Sequence, residues 1–264
     1  MKQLTQKLGS GEMKIQELPM PQVGKGMVLV QTHYSIISAG TEGSTVKAAR
    51  KSLLGKAKER PAQAKQVLDV LQKQGPVQTY RTVMKKLDAY SPLGYSASGE
   101  VIEVGKSVAE FVVGDKVACG GGYANHAEVI SVPVNLCVKL NHDADLKKAS
   151  YNTVGAIAMQ GIRQADLRLG ESCVVIGLGL LGQLTCLMLK ASGVRVIGVY
   201  VSEYVINKAM ENNVVDLAMK DKTSGMEEKI YLETNGIGAD AVIIAAATSS
   251  TDPINFAGAV ARKK

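Results

Sequence analysis

The sequence has 264 residues, enough for two domains, and 46% of them are hydrophobic and 21% charged, as in an ordinary globular protein. No stretch approaches the roughly 18 apolar residues of a membrane span, and residues 1–21 lack the apolar core of a secretory signal. The four cysteines lie far apart without CxxC spacing, which argues against a zinc ribbon or a disulfide framework. We therefore expect a cytoplasmic protein with reduced thiols and no membrane contact.

The net charge of +7 is concentrated in one segment. Residues 43–90 contain eleven basic and three acidic residues, so the rest of the chain is close to neutral. Apolar residues recur there every three or four positions, which predicts helices, with an interruption at Gly75-Pro76. Three interpretations stay open: a solvated helical pair that covers a cleft or an oligomer face, a site for an anionic substrate such as a nucleotide sugar, or a nucleic-acid site. Nucleic-acid sites usually interleave aromatic residues with the charges, and only Tyr80 and Tyr90 are available, so we expect no nucleic-acid partner.

Short runs on either side of this segment predict a mostly β domain over residues 1–150. Residues 1–37 alternate polar and apolar residues, as in a hairpin followed by a longer strand, and from Gly94 further short strands are separated by glycine-rich turns. From about Asp145 a helix pair is followed by strands that alternate with helices, which predicts βαβ units and a parallel sheet over residues 151–264. The pattern contains four strands, whereas a complete doubly wound sheet has about six, so we expect a partial dinucleotide-binding domain.

The stretch SCVVIGLGLLGQL predicts a cradle for a dinucleotide. Gly177, Gly179 and Gly182 follow a β-branched strand and open a helix, and a second strand follows within about 30 residues. In such units the glycines permit a tight turn, close approach of the backbone to a diphosphate, and close packing of helix on strand. The first N–H groups of the helix then face the phosphates. Leu180 and Leu181 lie in the same turn.

The end of the second strand leaves the choice between NAD and NADP open. An NAD site places an acid there to hold the ribose hydroxyls, but this sequence has Tyr200, followed by Ser202. Glu203 is the nearest acid, and Lys208 is the cation within helical reach of a 2′-phosphate. We expect Tyr200 and Ser202 near the adenosine ribose. Two further cofactor contacts are expected at the end of the ADAVIIAAAT strand: Ala246 and Thr248.

Two longer stretches, GEVIEVGKSVAEFVVGDKV and YNTVGAIAMQGIRQADLRLGESCVVIGLGLLGQ, resemble the medium-chain dehydrogenase/reductase superfamily. The stretches YSIISAGTE and PLGYSASGEV are most similar to a branch that includes bacteriochlorophyllide dehydrogenase-like proteins and bi-domain oxidoreductases. The resemblance covers nearly the whole chain and implies a GroES-like β-barrel domain, here with a helical insertion, followed by a Rossmann domain. It also implies final Rossmann strands that are missing here, so we expect a homo-oligomer or a C-terminal partner domain to cover the sheet edge.

The positions that match the superfamily's zinc ligands hold residues of other types. The matching segments read Ala39-Gly40-Thr41-Glu42, Gly94-Tyr95-Ser96 and Asn152. Because zinc takes thiolate, imidazole or carboxylate ligands, we expect no zinc. The resemblance therefore implies a zinc-independent NAD(P)-dependent oxidoreductase that acts on a small-molecule alcohol or carbonyl compound, a sugar or another anionic substrate among them. A non-catalytic nucleotide-binding module, or one half of a larger bi-domain enzyme, remains the alternative.

Without a Lewis acid, a protein group must donate the proton to a carbonyl substrate. Thr41 matches the family hydroxyl that relays the alcohol proton, Tyr95 places a phenol where a zinc-binding His would be, and Glu42 lies next to Thr41. Thr41 and Tyr95 have the alternative interpretation of residues that line a cleft or fill the core. The histidines do not cluster in the sequence, and we expect surface or core positions for all three: His33, His126 and His142.

Overall fold

The structure, a computed structural model, describes residues 1–51, 55, 61–221 and 223–263. The chain divides into two compact units, Met1–Thr153 and Val154–Lys264. The first unit is built on antiparallel sheets and the second on a parallel sheet, so the α/β architecture expected from the sequence is confirmed. Among the helices of these described ranges, none is long and apolar enough to cross a membrane.

The first unit carries the following strands and helices: β1 (Lys2–Lys7), β2 (Met13–Glu17), β3 (Met27–Ser35), α1 (Ala39–Ala49), α2 (Pro61–Asp88), β4 (Tyr90–Pro92), β5 (Ser96–Val104), β6 (Lys116–Gly120), β7 (Val129–Pro133), β8 (Cys137–Lys139) and α3 (Leu146–Ala149). The next helix, α4 (Asn152–Ala165), begins at the last residues of this unit. β1 pairs with β2 and with β4, and a five-stranded antiparallel sheet has the order β7-β3-β5-β6-β8. Alternate residues of β3 and β5 face one core, in which Val28, Val30 and Val101 are fully buried. These curled sheets form the barrel-like domain that the resemblance implied.

The helical insertion follows the sequence pattern with one difference. α2 is interrupted at Gly75, whose φ of 75° and ψ of 169° are not helical, directly before Pro76. α1 begins at Ala39 rather than near residue 43, so the segment with Thr41 lies on a helix. Lys56, Lys58 and Arg60 of the predicted basic segment lie outside the described residues.

The Gly-Asp turn before β6 is held by one carboxylate. Gly114 has a φ of +93°, a conformation that glycine adopts without strain. The Asp115 carboxylate accepts a hydrogen bond from the Val112 N–H at 2.8 Å and pairs with the Lys139 ammonium at 2.7 Å. The Lys139 contact and then the Val112 N–H hold the pKa of Asp115 below its usual range.

Asp115→Asn is expected to lower the stability of the first unit at neutral pH and to leave it unchanged in acid. Because the folded-state pKa of Asp115 is lowered, its contribution is present above the carboxyl group's ordinary pKa and is lost as the pH falls through the folded-state value. Urea unfolding of both proteins between pH 7 and pH 2 measures this. The two stability curves should converge at the acid end, and a constant gap across the range would contradict the account.

The second unit carries the following elements after α4: β9 (Ser172–Ile176), α5 (Leu180–Ala191), β10 (Arg195–Tyr200), α6 (Glu203–Glu211), β11 (Leu217–Lys220), α7 (Met226–Glu233), β12 (Ala241–Ile244) and α8 (Asp252–Val260). The strands are parallel, in the order β11-β10-β9-β12. Alternate residues of β9 belong to two separate cores, Cys173 and Val175 to one and Val174 and Ile176 to the other. α5 and α6 contribute to the first core, and α7 and α8 to the second, so helices cover both faces of the sheet, as in a doubly wound fold.

Two strands differ from the sequence prediction. β11 begins at Leu217, later than the VVDLAM run suggested, and Val214 and Val215 are buried ahead of it. β12 ends at Ile244, so the predicted strand end was wrong, and Ala246 and Thr248 lie beyond it. The physical reason is pairing: β9, the neighbour of β12, ends at Ile176, and the last ladder bond is donated by the N–H of Ala245 to the carbonyl of Ile176.

Candidate functional site

The turn between β9 and α5 accepts glycine alone at two positions. Gly177 has a φ of +106°, and a Cβ atom there would lie 2.7 Å from the backbone nitrogen of Ala246. A Cβ atom on Gly182 would lie 1.7 Å from the carbonyl oxygen of Gly177. The first turn of α5 therefore packs directly on the turn, which is the close approach of helix to strand expected from the glycine pattern.

Gly179 has a different environment from the other two glycines. It is the residue before α5, its φ is −70°, and a Cβ atom built on it would meet no atom within 4 Å. No side chain caps this helix end. The N–H of Gln183 donates to the carbonyl of Gly179 at 2.9 Å, which closes the first helical turn. The N–H groups of the residues between them have no acceptor inside the helix, because a helix begins with unpaired donors.

These features form a cradle that suits a diphosphate. The unpaired N–H groups belong to Leu180, Leu181 and Gly182, at the end of α5 that carries the positive end of the helix dipole. The open space beside Gly179 is the space that a side chain would fill. The side chain of Gln183 instead bonds the carbonyl of Leu178 at 2.9 Å, which fixes the turn without blocking this space.

At the end of β10, Tyr200 stands in the position where an NAD site places an acid. Tyr200 is half-buried, and its carbonyl accepts the N–H of Asp221. Lys220 is its partner in the register of β10 and β11, and the Lys220 ammonium lies 3.7 Å from the carboxylate of Glu203. Ser202 precedes α6 without a side-chain capping bond.

Three more residues singled out from the sequence differ in their surroundings. Ala246 lies against Gly177, as the distance from its nitrogen shows. Thr248 is exposed, and its hydroxyl accepts the N–H of Ser250 at 3.0 Å. The Lys208 ammonium pairs with Glu211 at 2.6 Å on the same helix.

In the first unit, Glu42 contacts His126, for which the sequence predicted no role in the site. The ring of His126 places Nε2 2.7 Å from Glu42 Oε1 and Nδ1 2.8 Å from the hydroxyl of Ser35. A carboxylate oxygen accepts hydrogen bonds, so the imidazole tautomer with its proton on Nε2 is the one that donates to Glu42. The second carboxylate oxygen, Oε2, accepts the N–H of Ser38 at 2.8 Å, which ties Glu42 to the start of α1.

This Ser35–His126–Glu42 chain is nearly closed to water. The side chains of His126 and Glu42 are 10% and 11% exposed. The N–H of His126 donates to the carbonyl of Leu93 at 2.8 Å, and a Cβ atom on Gly94 would lie 2.6 Å from that nitrogen. His126 therefore adjoins the segment that carries Tyr95. His126 lies 84 residues from Glu42, so no spacing in the sequence signals the pair.

The two other candidate catalytic residues, Thr41 and Tyr95, differ in exposure. Thr41 is exposed, and its hydroxyl lies 3.3 Å from the hydroxyl of Ser38. Tyr95 is half-buried, and its carbonyl accepts the hydroxyl of Thr153 at 3.1 Å. In the part of the chain that the structure describes, the phenol of Tyr95 has no hydrogen-bond partner.

The residues at the positions that the resemblance assigns to zinc ligands do not fit a zinc ion. The amide nitrogen of Asn152 donates to the carbonyls of Ala97, Cys119 and Ala149 at 3.1 to 3.2 Å, so this side chain ties β5 and β6 to the start of α4. An amide nitrogen used in this way is not a metal ligand, and Ala39 has no donor atom. Among the described residues, no group of three or more His, Cys, Asp or Glu is placed to hold a metal ion.

No family model matches the chain. Among solved structures, an alcohol dehydrogenase from Thermus sp. ATN1 has a TM-score of 0.75 at 16% identity, over 99% of this chain and 75% of that one. The quinone oxidoreductase of Escherichia coli complexed with NADPH has a TM-score of 0.73 at 14% identity, over 100% of this chain and 71% of that one. The chain has the fold of these two proteins.

The sequence comparison agrees with this assignment. The D-guloside 3-dehydrogenase of Escherichia coli (strain K12) is 31% identical over 153 residues, which cover 57% of this chain and 43% of that protein. The chain spans about half the length of the curated relatives it matches. The fold expected from the sequence is thus confirmed, and the relatives are dehydrogenases and reductases, as the resemblance implied. The narrower branch within the superfamily stays a prediction. The cofactor and catalytic residues singled out from the sequence stay predictions.

Proposed function

We propose that the chain is an NAD(P)-dependent oxidoreductase that transfers a hydride between a nicotinamide cofactor and the alcohol or carbonyl carbon of a small polyol or sugar. The observation that carries this proposal is the cradle at the start of α5, with open space at Gly179 and three unpaired N–H groups. The names of the relatives support the substrate class, since they include D-guloside 3-dehydrogenase and D-xylulose reductase.

The residues of the second unit fit such a cofactor. The N–H groups of Leu180, Leu181 and Gly182 would hold the diphosphate, and the first turn of α5 would supply the favourable dipole. Tyr200 and Ser202 would contact the adenosine ribose. Ala246 and Thr248 are proposed beside the rest of the cofactor: Ala246 through its position against Gly177, and Thr248 as the exposed hydroxyl beyond it. The bound cofactor supplies or accepts the hydride.

The cradle's neighbourhood favours the phosphorylated cofactor, NADP. A 2′-phosphate is repelled by the acid that an NAD site places at the end of the second strand, and Tyr200 occupies that position here. Lys220, a cation, lies opposite Tyr200 in the sheet register. The carboxylate of Glu203 lies 3.7 Å from the ammonium of Lys220, and this contact makes Glu203 less available to the ribose hydroxyls.

The proton is proposed to pass through protein groups without zinc. The hydroxyl of Thr41 and the unbonded phenol of Tyr95 are the available donors to a substrate oxygen. Glu42 is held by His126 and Ser38, so it acts by fixing α1 and Thr41 rather than by donating a proton itself. The use of Asn152 as a structural amide supports the proposal of a zinc-independent reaction.

The remaining parts of the proposal concern partners and location. The four cysteines are free thiols, which supports a cytoplasmic protein. The exposed basic residues of α2 support an anionic substrate, a phosphorylated or nucleotide-linked sugar, rather than a nucleic acid. A second copy of this chain is proposed to cover the outer edge of β12.

Hydride transfer tests the proposed function. Polyols and sugar alcohols are mixed with NADP or NAD, and the corresponding carbonyl compounds with NADPH or NADH, while nicotinamide absorbance is followed. We expect turnover with at least one member of the series, faster with the phosphorylated cofactor, and at least a tenfold lower rate for Tyr95→Phe. Cofactor binding without turnover on any member would contradict the proposal and favour a non-catalytic nucleotide-binding module.

A further inference from the structure

Two cysteines that are far apart in the sequence face each other across a sheet. Cys119 in β6 and Cys137 in β8 are direct partners in the antiparallel register, and their sulfur atoms are 3.8 Å apart. Cys119 is fully buried, whereas Cys137 is only half-buried. The sequence spacing gave no indication of this pair, because the contact depends on the register of two strands.

The register places the pair at the kind of site where a disulfide fits. The N–H of Leu140 donates to the carbonyl of Lys116 at 2.9 Å, so these two residues form a hydrogen-bonded pair. Along two antiparallel strands, hydrogen-bonded and non-hydrogen-bonded residue pairs alternate. Cys119 and Cys137 lie three pairs beyond Lys116 and Leu140, so they form a non-hydrogen-bonded pair. Cα atoms in such pairs are about 4.5 Å apart, within the range that a disulfide spans.

The two thiols are also chemically unequal. The hydrogen bond from Cys119 lowers the pKa of the Cys137 thiol, while the same contact and burial raise the pKa of Cys119. The half-buried sulfur is therefore the one that forms the thiolate. Cys173 and Cys186, in the core of the second unit, have thiols whose pKa is raised by burial to about 12.

We propose that Cys119 and Cys137 are a redox modification site that is converted to a reversible intramolecular disulfide by peroxide. The Cys137 thiolate attacks one oxygen of hydrogen peroxide, the O–O bond breaks, and Cys137 becomes a sulfenic acid with release of hydroxide. The Cys119 sulfur then attacks the Cys137 sulfur, the S–O bond breaks, and water leaves. In total, two thiols and one peroxide give one disulfide and two waters, and a dithiol reductant reverses the change.

The disulfide would close a loop that carries part of the candidate site. Residues 120–136 lie between the two cysteines and include His126, whose ring holds Glu42. The carbonyl of Cys119 also accepts the amide of Asn152 at 3.1 Å. Because a cross-link removes freedom from the unfolded chain, oxidation is expected to stabilise this part of the first unit. The inference does not depend on the proposed oxidoreductase activity.

The test is a count of thiols in the native protein after treatment with hydrogen peroxide. The protein is quenched, unfolded in an alkylating reagent, and measured by intact mass and peptide mapping. We expect two of the four cysteines to escape alkylation, a cross-linked peptide that joins Cys119 to Cys137, and full recovery with dithiothreitol. Circular dichroism before quenching shows that the reaction occurs in the folded state.

Two variants separate this result from general oxidation. Cys119→Ser should give no cross-link and should leave Cys137 trapped as a sulfenic acid by dimedone, whereas Cys173→Ser should cross-link as the wild type does. The thermal unfolding midpoint should rise on oxidation in the wild type and in Cys173→Ser but not in Cys119→Ser. Retention of all four thiols, or oxidation of Cys137 to sulfinic acid without the cross-link, would overturn the proposal.

Discussion

Gly179→Asp is expected to weaken the binding of NADPH and NADH by at least about 100-fold while the second unit stays folded. The side chain would enter the open space beside the start of α5, and its carboxylate would occupy the place of the diphosphate and repel it. The backbone at this position has a φ of −70°, which any residue adopts, so the substitution strains nothing. Calorimetric titration of both cofactors, with thermal unfolding as the check on folding, measures the effect.

A matched control makes the same glycine-to-aspartate substitution at a position away from the cradle. Gly258→Asp puts the same charge on an exposed position of α8, where a Cβ atom also meets nothing within 4 Å, and cofactor affinity should stay within twofold of the wild type. Gly182→Val should instead lower the stability of the second unit. Its side chain would collide with the Gly177 carbonyl and disrupt the turn itself. Equal losses for Gly179→Asp and Gly258→Asp would show that charge alone, and not the cradle, sets the affinity.

His126→Ala is expected to destabilise the first unit by about 3 kcal/mol, because it leaves a nearly buried carboxylate without its partner. This value lies at the lower end of the usual cost, since Glu42 keeps 11% of its side chain exposed. The loss should fall when Glu42→Gln is added to His126→Ala, because a buried neutral amide costs less to leave without its hydrogen-bond partner than a buried carboxylate does. Urea unfolding of the single and double variants gives these differences directly.

The control for this prediction is an exposed histidine of the same unit, His142. His142→Ala should change the free energy of unfolding by less than about 0.5 kcal/mol, since exposed substitutions away from buried networks have small effects. If His126→Ala and His142→Ala had the same small effect, the Ser35–His126–Glu42 chain would contribute nothing to the fold of this unit.

The features predicted well from the sequence are those that depend on neighbours along the chain. The turn at Gly177, Gly179 and Gly182 is local. The geometry requires glycine at Gly177 and Gly182, as the motif predicts, and leaves open space at Gly179. The spacing of apolar residues identified the strands and helices of the second unit, because it reflects which faces are buried. Their alternation then predicted the parallel sheet. The end of β12 was misjudged, since it depends on where β9, its partner strand, turns away.

The features missed from the sequence depend on contacts between distant segments. Glu42 and His126 meet because β3, α1 and the loop before β7 converge, and none of these positions is related by a short spacing. Asn152 was noted only as a replaced ligand, whereas its role as a donor to three carbonyls follows from the meeting of two strands and a helix. The Cys119–Cys137 pair depends on strand register, which no count along the sequence supplies.

The central claim is that the first turn of α5 holds the diphosphate of a nicotinamide cofactor. The most direct measurement is a crystal structure of the chain grown with NADPH. The account predicts diphosphate oxygens within hydrogen-bond distance, about 2.7–3.2 Å, of the N–H groups of Leu180, Leu181 and Gly182. A cofactor bound elsewhere on the chain, or an ordered solvent shell at Gly179 under saturating NADPH, would contradict it.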